Sequence, residues 1–161
     1  MTPDEYAQGV IEAYQGEIAG QALYGAAAAA TREPTRRPKL RALAQLELET
    51  AERLRPIVER LGGLGDGEEA LREAGSKLAE SLFPDGDWAA SIGRYAAMIE
   101  PYVRKFQALE AAAPVEDTEI MAYLVAHEQA QVSFATREAE GDVERSIEPV
   151  LALLSRPPEG V

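Results

Sequence analysis

Four long stretches of this 161-residue chain repeat apolar residues at the three-and-four spacing of a helix, and no stretch alternates as a half-buried strand does. The chain must therefore bury its apolar stripes by packing helix against helix. Local punctuation sets the boundaries. Thr2 and Pro3, followed by Asp4 and Glu5, open a first helix over 3–31, which Pro34 ends. A second helix is expected over 36–61, stopped by Gly62 and Gly63, and a third over 88–112, between an Asp87 N-cap and Pro114. A fourth covers 116–140 and ends at Gly141. Shorter helices are read over 68–82, with a possible break at Gly75, and over 142–154, capped by Asp142. Pro56 and Pro101 fall inside periodic segments and predict a kink or bulge at each. GGLGDG reads as a linker and RPPEGV as a frayed tail. The expected architecture is all-α, one domain over 1–161: a four-helix bundle with a short crossover helix between two helical pairs and a short C-terminal helix.

Several chemistries are excluded at once. Without cysteine there is no disulfide, thiolate nucleophile, iron-sulfur cluster or cysteine zinc site, and with one histidine, His127, there is no HExxH motif. A net charge of −12 repels phosphate backbones and anionic lipid heads, so neither nucleic acid nor membrane is expected as a partner. The opening MTPDEYAQG carries acids where a secretory leader carries bases. The apolar stretch from Ile18 to Ala30 falls short of the roughly 20 residues that span a bilayer, so a cytoplasmic location is expected. No catalytic serine elbow, phosphate loop or dinucleotide fingerprint accompanies the helices.

The informative residues are polar ones on apolar faces. Leu40, Leu43, Leu54 and Val58 define the inner stripe of the second helix, and Glu47 falls near its centre, whereas Glu49 and Glu52 point outward. In the fourth helix His127, Glu128 and Gln131 fall within the stripe of Ile120, Leu124, Phe134 and Ala135. In the first, Glu17 shares a face with Tyr6, Val10, Tyr14, Gln21 and Tyr24. Three carboxylates buried close together need protons, arginines or a metal ion to neutralise them. A shift of 81 residues lays Glu47 on Glu128, Thr50 on Gln131 and Tyr14 on Tyr95, which suggests two related helical hairpins.

This pattern, from Pro3 to Gly141, resembles the ferritin-like superfamily, rubrerythrin-type proteins included. There helices one and three each give a glutamate, and helices two and four each give an ExxH pair. The resemblance matches Glu17, Glu47 and Glu128 to the carboxylates of the first, second and fourth helices. Both ExxH histidines are replaced, by Thr50 and Gln131; on the third helix the 81-residue shift offers Met98, and the nearest acid is Glu100. A kink at Pro101 that turns Glu100 inward would complete a four-carboxylate cage suited to manganese, magnesium or calcium as well as iron. The resemblance implies a divalent metal, iron or manganese, and oxygen, peroxide or metal-handling chemistry. Glu17, Glu47 and Glu128 are then the ligands, and Glu100, Gln131 and His127 the supporting groups. The alternative is a non-catalytic bundle that has lost its di-iron site and binds a partner protein or small ligand.

Other features have plainer readings beside functional ones. His127 is a hydrogen-bonded core histidine or a ligand, and the tyrosines are core or donors to the buried acids. The basic run Arg36, Arg37, Lys39 and Arg41 grips an anion or pairs with neighbouring acids. Asp85-Gly86-Asp87 is a turn and N-cap, because Ala96 stands where a calcium loop closes with glutamate. Gly16, Gly20 and the alanines 26–30 give the first helix a small-residue side for a close neighbour, within the bundle or across a homodimer.

Overall fold

A computed structural model describes residues 1–64, 67–84 and 86–158, and among them no strand is found. Six α-helices follow in order: α1 Pro3–Ala30, α2 Arg37–Arg60, α3 Glu68–Leu82, α4 Trp88–Ala112, α5 Thr118–Glu140 and α6 Glu148–Leu151. A single 3₁₀ turn, Val115–Asp117, leads into α5, so this helix starts two residues later than expected. The punctuation acts as the sequence suggests. Thr2 Oγ1 accepts from the Glu5 N–H at 3.2 Å while the Glu5 carboxylate accepts from the Thr2 N–H at 2.6 Å, a reciprocal cap. Asp87 Oδ1 accepts from the Ala90 N–H at 3.0 Å. Gly63 and Gly141 end α2 and α5 at φ of 73° and 85°, in the left-handed region. Parts of the expected linker, of the 83–87 turn and of the tail, namely Gly65, Asp66, Asp85 and residues 159–161, lie outside the described residues.

Two expectations are corrected. The break at Gly75 does not occur, because the glycine serves close approach: a Cβ there would come within 2.8 Å of the Ala19 carbonyl carbon. α3 thus packs closely against Ala19 of α1, whereas Gly20 faces Glu47 of α2 and Gly16 meets no neighbour within 4 Å. Replacing Gly75 by alanine is expected to destabilise by about 1–3 kcal/mol, although alanine is the better helix former by ~1 kcal/mol. A denaturation midpoint at or above wild type would contradict that packing. The helix expected over 142–154 shrinks to one turn, Glu148–Leu151. Side chains of neighbouring helices take the preceding carbonyls, Lys39 donating to Val143 O at 2.6 Å and Arg137 to Arg145 O at 2.9 Å. α2 and α4 each continue as one α-helix through Pro56 and Pro101, so neither proline divides its segment into two helices.

α1 pairs with α2, and α4 with α5, each pair antiparallel. The core is split in two. One half gathers Tyr6, Val10, Ile18, Leu54, Leu109 and Leu124; the other gathers Leu23, Leu40, Leu46, Tyr95, Ile99 and Phe134. Where the two halves meet, α1, α2 and α5 each turn polar side chains into the interior. These are Glu17, Glu47, Thr50, His127, Glu128 and Gln131. Helical spacing sets this belt at one depth on three helices.

A buried carboxylate and histidine cluster

Glu17 comes from α1, Glu47 and Thr50 from successive turns of one α2 face, and His127 and Gln131 from successive turns of α5. All are buried, none more than 5% exposed. Carboxylate oxygens of Glu17 and Glu47 and a ring nitrogen of His127 lie within 4.8 Å of one another, a spacing that can hold a metal ion. His127 Nε2 stands 3.3 Å from Glu47 Oε1, and Nδ1 3.4 Å from Glu17 Oε2. Gly20 makes room for this arrangement, since a Cβ there would come within 2.7 Å of the Glu47 carboxyl carbon.

Hydrogen bonds fix the imidazole. Gln131 Oε1 accepts from the hydroxyls of Tyr24, at 3.1 Å, and Tyr95, which orients the amide nitrogen toward Glu47 Oε1 at 2.6 Å and toward His127 Nε2. An amide nitrogen only donates, so Nε2 accepts and the ring proton sits on Nδ1. Thr50 Oγ1, 2.7 Å from Nδ1, receives that proton because its own is given to Leu46 O at 2.8 Å. The lone pair of Nε2 is left facing Glu47 and Gln131.

The cluster is electrostatically unfinished. Glu17 Oε2 and Glu128 Oε1 are buried without a hydrogen-bond partner. Burial, followed by the charge and hydrogen bond of Glu47 and the charge of Glu128, holds the Glu17 carboxyl well above the ordinary carboxylate value. Burial, then the charge of Glu47, pushes Glu128 up to about 8. Among the described residues, no lysine or arginine lines the cavity that adjoins them. That cavity, about 240 Å³, has Glu17, Glu47, His127, Glu128 and Gln131 on its floor. Its walls are apolar, from Ala19, Leu23, Met98, Ile99 and Phe106, and it reaches the surface beside Leu78 and Tyr102, each 43% exposed.

Of the residues singled out in the sequence, Glu17, Glu47, Glu128, His127 and Gln131 are brought together. Glu100 is not: it is exposed on α4, because the helix runs through Pro101 without turning that position inward, and no four-carboxylate cage forms. Met98 takes the corresponding place on the cavity wall. Glu49, expected to face solvent, is buried at 3% because the C-terminal segment folds over it. Its carboxylate accepts from the Ser155 N–H at 2.8 Å and hydroxyl at 2.5 Å. Burial works against that charge, yet the hydrogen bonds from Gln45, Ser155 and Arg156 hold the pKa below the ordinary value. In the basic run, Lys39 pairs with Glu138 of α5 and Arg37 donates to Thr31 O at 2.8 Å. Sequence reasoning gave Thr50 no role. The signal was its position three residues after Glu47, where ExxH places histidine. No protein-family model matches the chain, and neither does a curated protein or a solved structure.

Proposed function

We propose that the protein binds a single divalent metal ion between Glu17, Glu47 and His127, at the base of a cavity open to small molecules. The observation that carries this reading is the gap between His127 Nε2 and Glu47 Oε1. Ligands at ~2.1 Å from one ion stand roughly 3.0–3.4 Å apart in octahedral or tetrahedral geometry, and these atoms are 3.3 Å apart. The unpartnered Glu17 Oε2 and the Thr50 bond that holds the ring tautomer support it, the latter because metal-binding histidines keep their other nitrogen hydrogen-bonded. Two carboxylates and an imidazole suit manganese(II) or iron(II). One ion, rather than two, follows from the single histidine and from Glu100 lying outside. A ferritin-like bundle with a reduced site is the fold reading that goes with this. Inward acids at one depth on α1, α2 and α5 support it.

Bound there, an ion supplies Lewis acidity and, if redox-active, an electron. The chain's own residues orient and exclude. Tyr24 and Tyr95 hold Gln131, Thr50 holds the imidazole, and the split core keeps water from both sides of the belt. A second reading, a metal-free polar core, is favoured by one contact: the Gln131 amide itself bridges Glu47 and His127. Calorimetric titration of chelator-stripped protein with manganese(II) separates the two. One ion per chain is expected, and no heat or uptake would refute the metal reading. Thr50→Val, which removes the acceptor on Nδ1, is expected to weaken that binding about 10- to 100-fold with the helical content unchanged. Unaltered affinity would show that the threonine does not position the ring.

A further inference from the structure

The cavity above the cluster has a chemistry of its own. Its walls are apolar, its mouth lies at the surface beside Leu78 and Tyr102, and among the described residues its lining holds no lysine or arginine. An anionic head would lie beside Glu128 and the two carboxylates that offset the ion's charge, with no lysine or arginine among the described lining residues to pair with it, so fatty acids and phosphorylated metabolites are disfavoured. Glu128 stands outside the group formed by Glu17, Glu47 and His127, lines the cavity, is 5% exposed, and leaves Oε1 buried without a donor. A ligand must therefore bring a hydrogen-bond donor to that end and apolar surface to the walls. Size sets a further limit. A dry cavity of ~150 Å³ takes benzene, and 240 Å³ gives room for on the order of nine or ten heavy atoms.

Gly16 adds an independent observation. It lies mid-helix in α1 on the cavity lining, and a Cβ there would meet nothing within 4 Å. Glycine in a helix interior costs ~1 kcal/mol relative to alanine. No turn, positive φ or close approach demands it here, but a side chain at this position would grow over the opening.

We infer that the cavity binds a small uncharged molecule with an apolar body and one hydroxyl, of the alkylphenol class, its O–H donating to Glu128 Oε1 and its ring lying between α1 and α4. The inference rests on the metal reading, which makes the floor near neutral. The probe is 4-ethylphenol, titrated by calorimetry into manganese-loaded protein with phenol and hexanoate as comparisons and metal content measured on the same samples. 4-Ethylphenol is expected to bind about tenfold tighter than phenol, from roughly fourfold per buried methylene, and hexanoate at least tenfold more weakly. Gly16→Leu is expected to lose 4-ethylphenol binding by tenfold or more while keeping the manganese stoichiometry of wild type and a melting temperature at or above it. Glu128→Leu should narrow the preference for 4-ethylphenol over ethylbenzene. Protein that takes manganese but binds no phenol, binds hexanoate equally well, or binds 4-ethylphenol unchanged in Gly16→Leu overturns the proposal and leaves the metal reading standing. Protein that takes no manganese yet binds 4-ethylphenol overturns the metal reading alone, and failure of both overturns both.

Discussion

Glu17→Gln is expected to weaken manganese(II) binding by more than about 100-fold, beyond the usual cost of disturbing a residue that only supports a ligand, while raising the melting temperature of the metal-free protein at pH 8. The opposite signs are the point. Glu17 is buried, its Oε2 has no partner, and the neighbouring Glu47 and Glu128 raise the cost of its charge. An uncompensated buried carboxylate costs several kcal/mol, and glutamine removes the charge at almost the same volume. With the ion present the same charge is a ligand, and its removal is a loss. A cluster whose only role is structural would give the gain in stability without any change in metal uptake. A lower melting temperature in the metal-free variant would mean that the Glu17 charge is compensated by a partner.

Chelator-treated protein is expected to lose stability on going from pH 5 to pH 8, by on the order of 4 kcal/mol from Glu128 alone. The folded value of this carboxyl, about 8, lies above its ordinary 4.5. Its contribution is therefore fully present below about 4.5 and is lost as the pH rises through about 8. Glu17, shifted in the same direction by burial first and by Glu47 next, adds to the loss. Glu49, whose pKa is lowered, works oppositely: its stabilisation is lost on acidification, below this window. For a chain of this size the Glu128 effect corresponds to roughly 10 °C in melting temperature. Added manganese should restore more at pH 8 than at pH 5, because the ion competes with protons for the same oxygens. A melting temperature that rises from pH 5 to pH 8 without metal would show that cations, not protons, neutralise these acids.

Helix boundaries and the inward acids were legible because both depend on local chemistry. Thr2, Asp87 and Gly141 act on the backbone within a few residues, and Glu17, Glu47 and Glu128 follow from phase along one helix. What periodicity cannot carry is contact between elements far apart in the chain. Glu49 looked solvated because only the return of Ser155 and Arg156 to α2 buries it. Gly75 looked like a break because Ala19, its reason for being glycine, lies on another helix. His127 is the instructive case. Its place beside Glu128, instead of three residues after it, argued against ligation within α5, yet it faces Glu47 of α2 and shares its face with Gln131, one turn along. Phase within one helix did not reveal which helix supplies the neighbouring carboxylates.

The most direct measurement is anomalous diffraction from crystals grown with manganese(II), recorded on the low-energy side of the iron edge so that manganese alone is identified. The expected result is one anomalous peak per chain within about 2.0–2.3 Å of a Glu17 oxygen, a Glu47 oxygen and His127 Nε2, with the Gln131 amide turned aside. An empty difference map at that position, with Gln131 still donating to both Glu47 and His127, would contradict it.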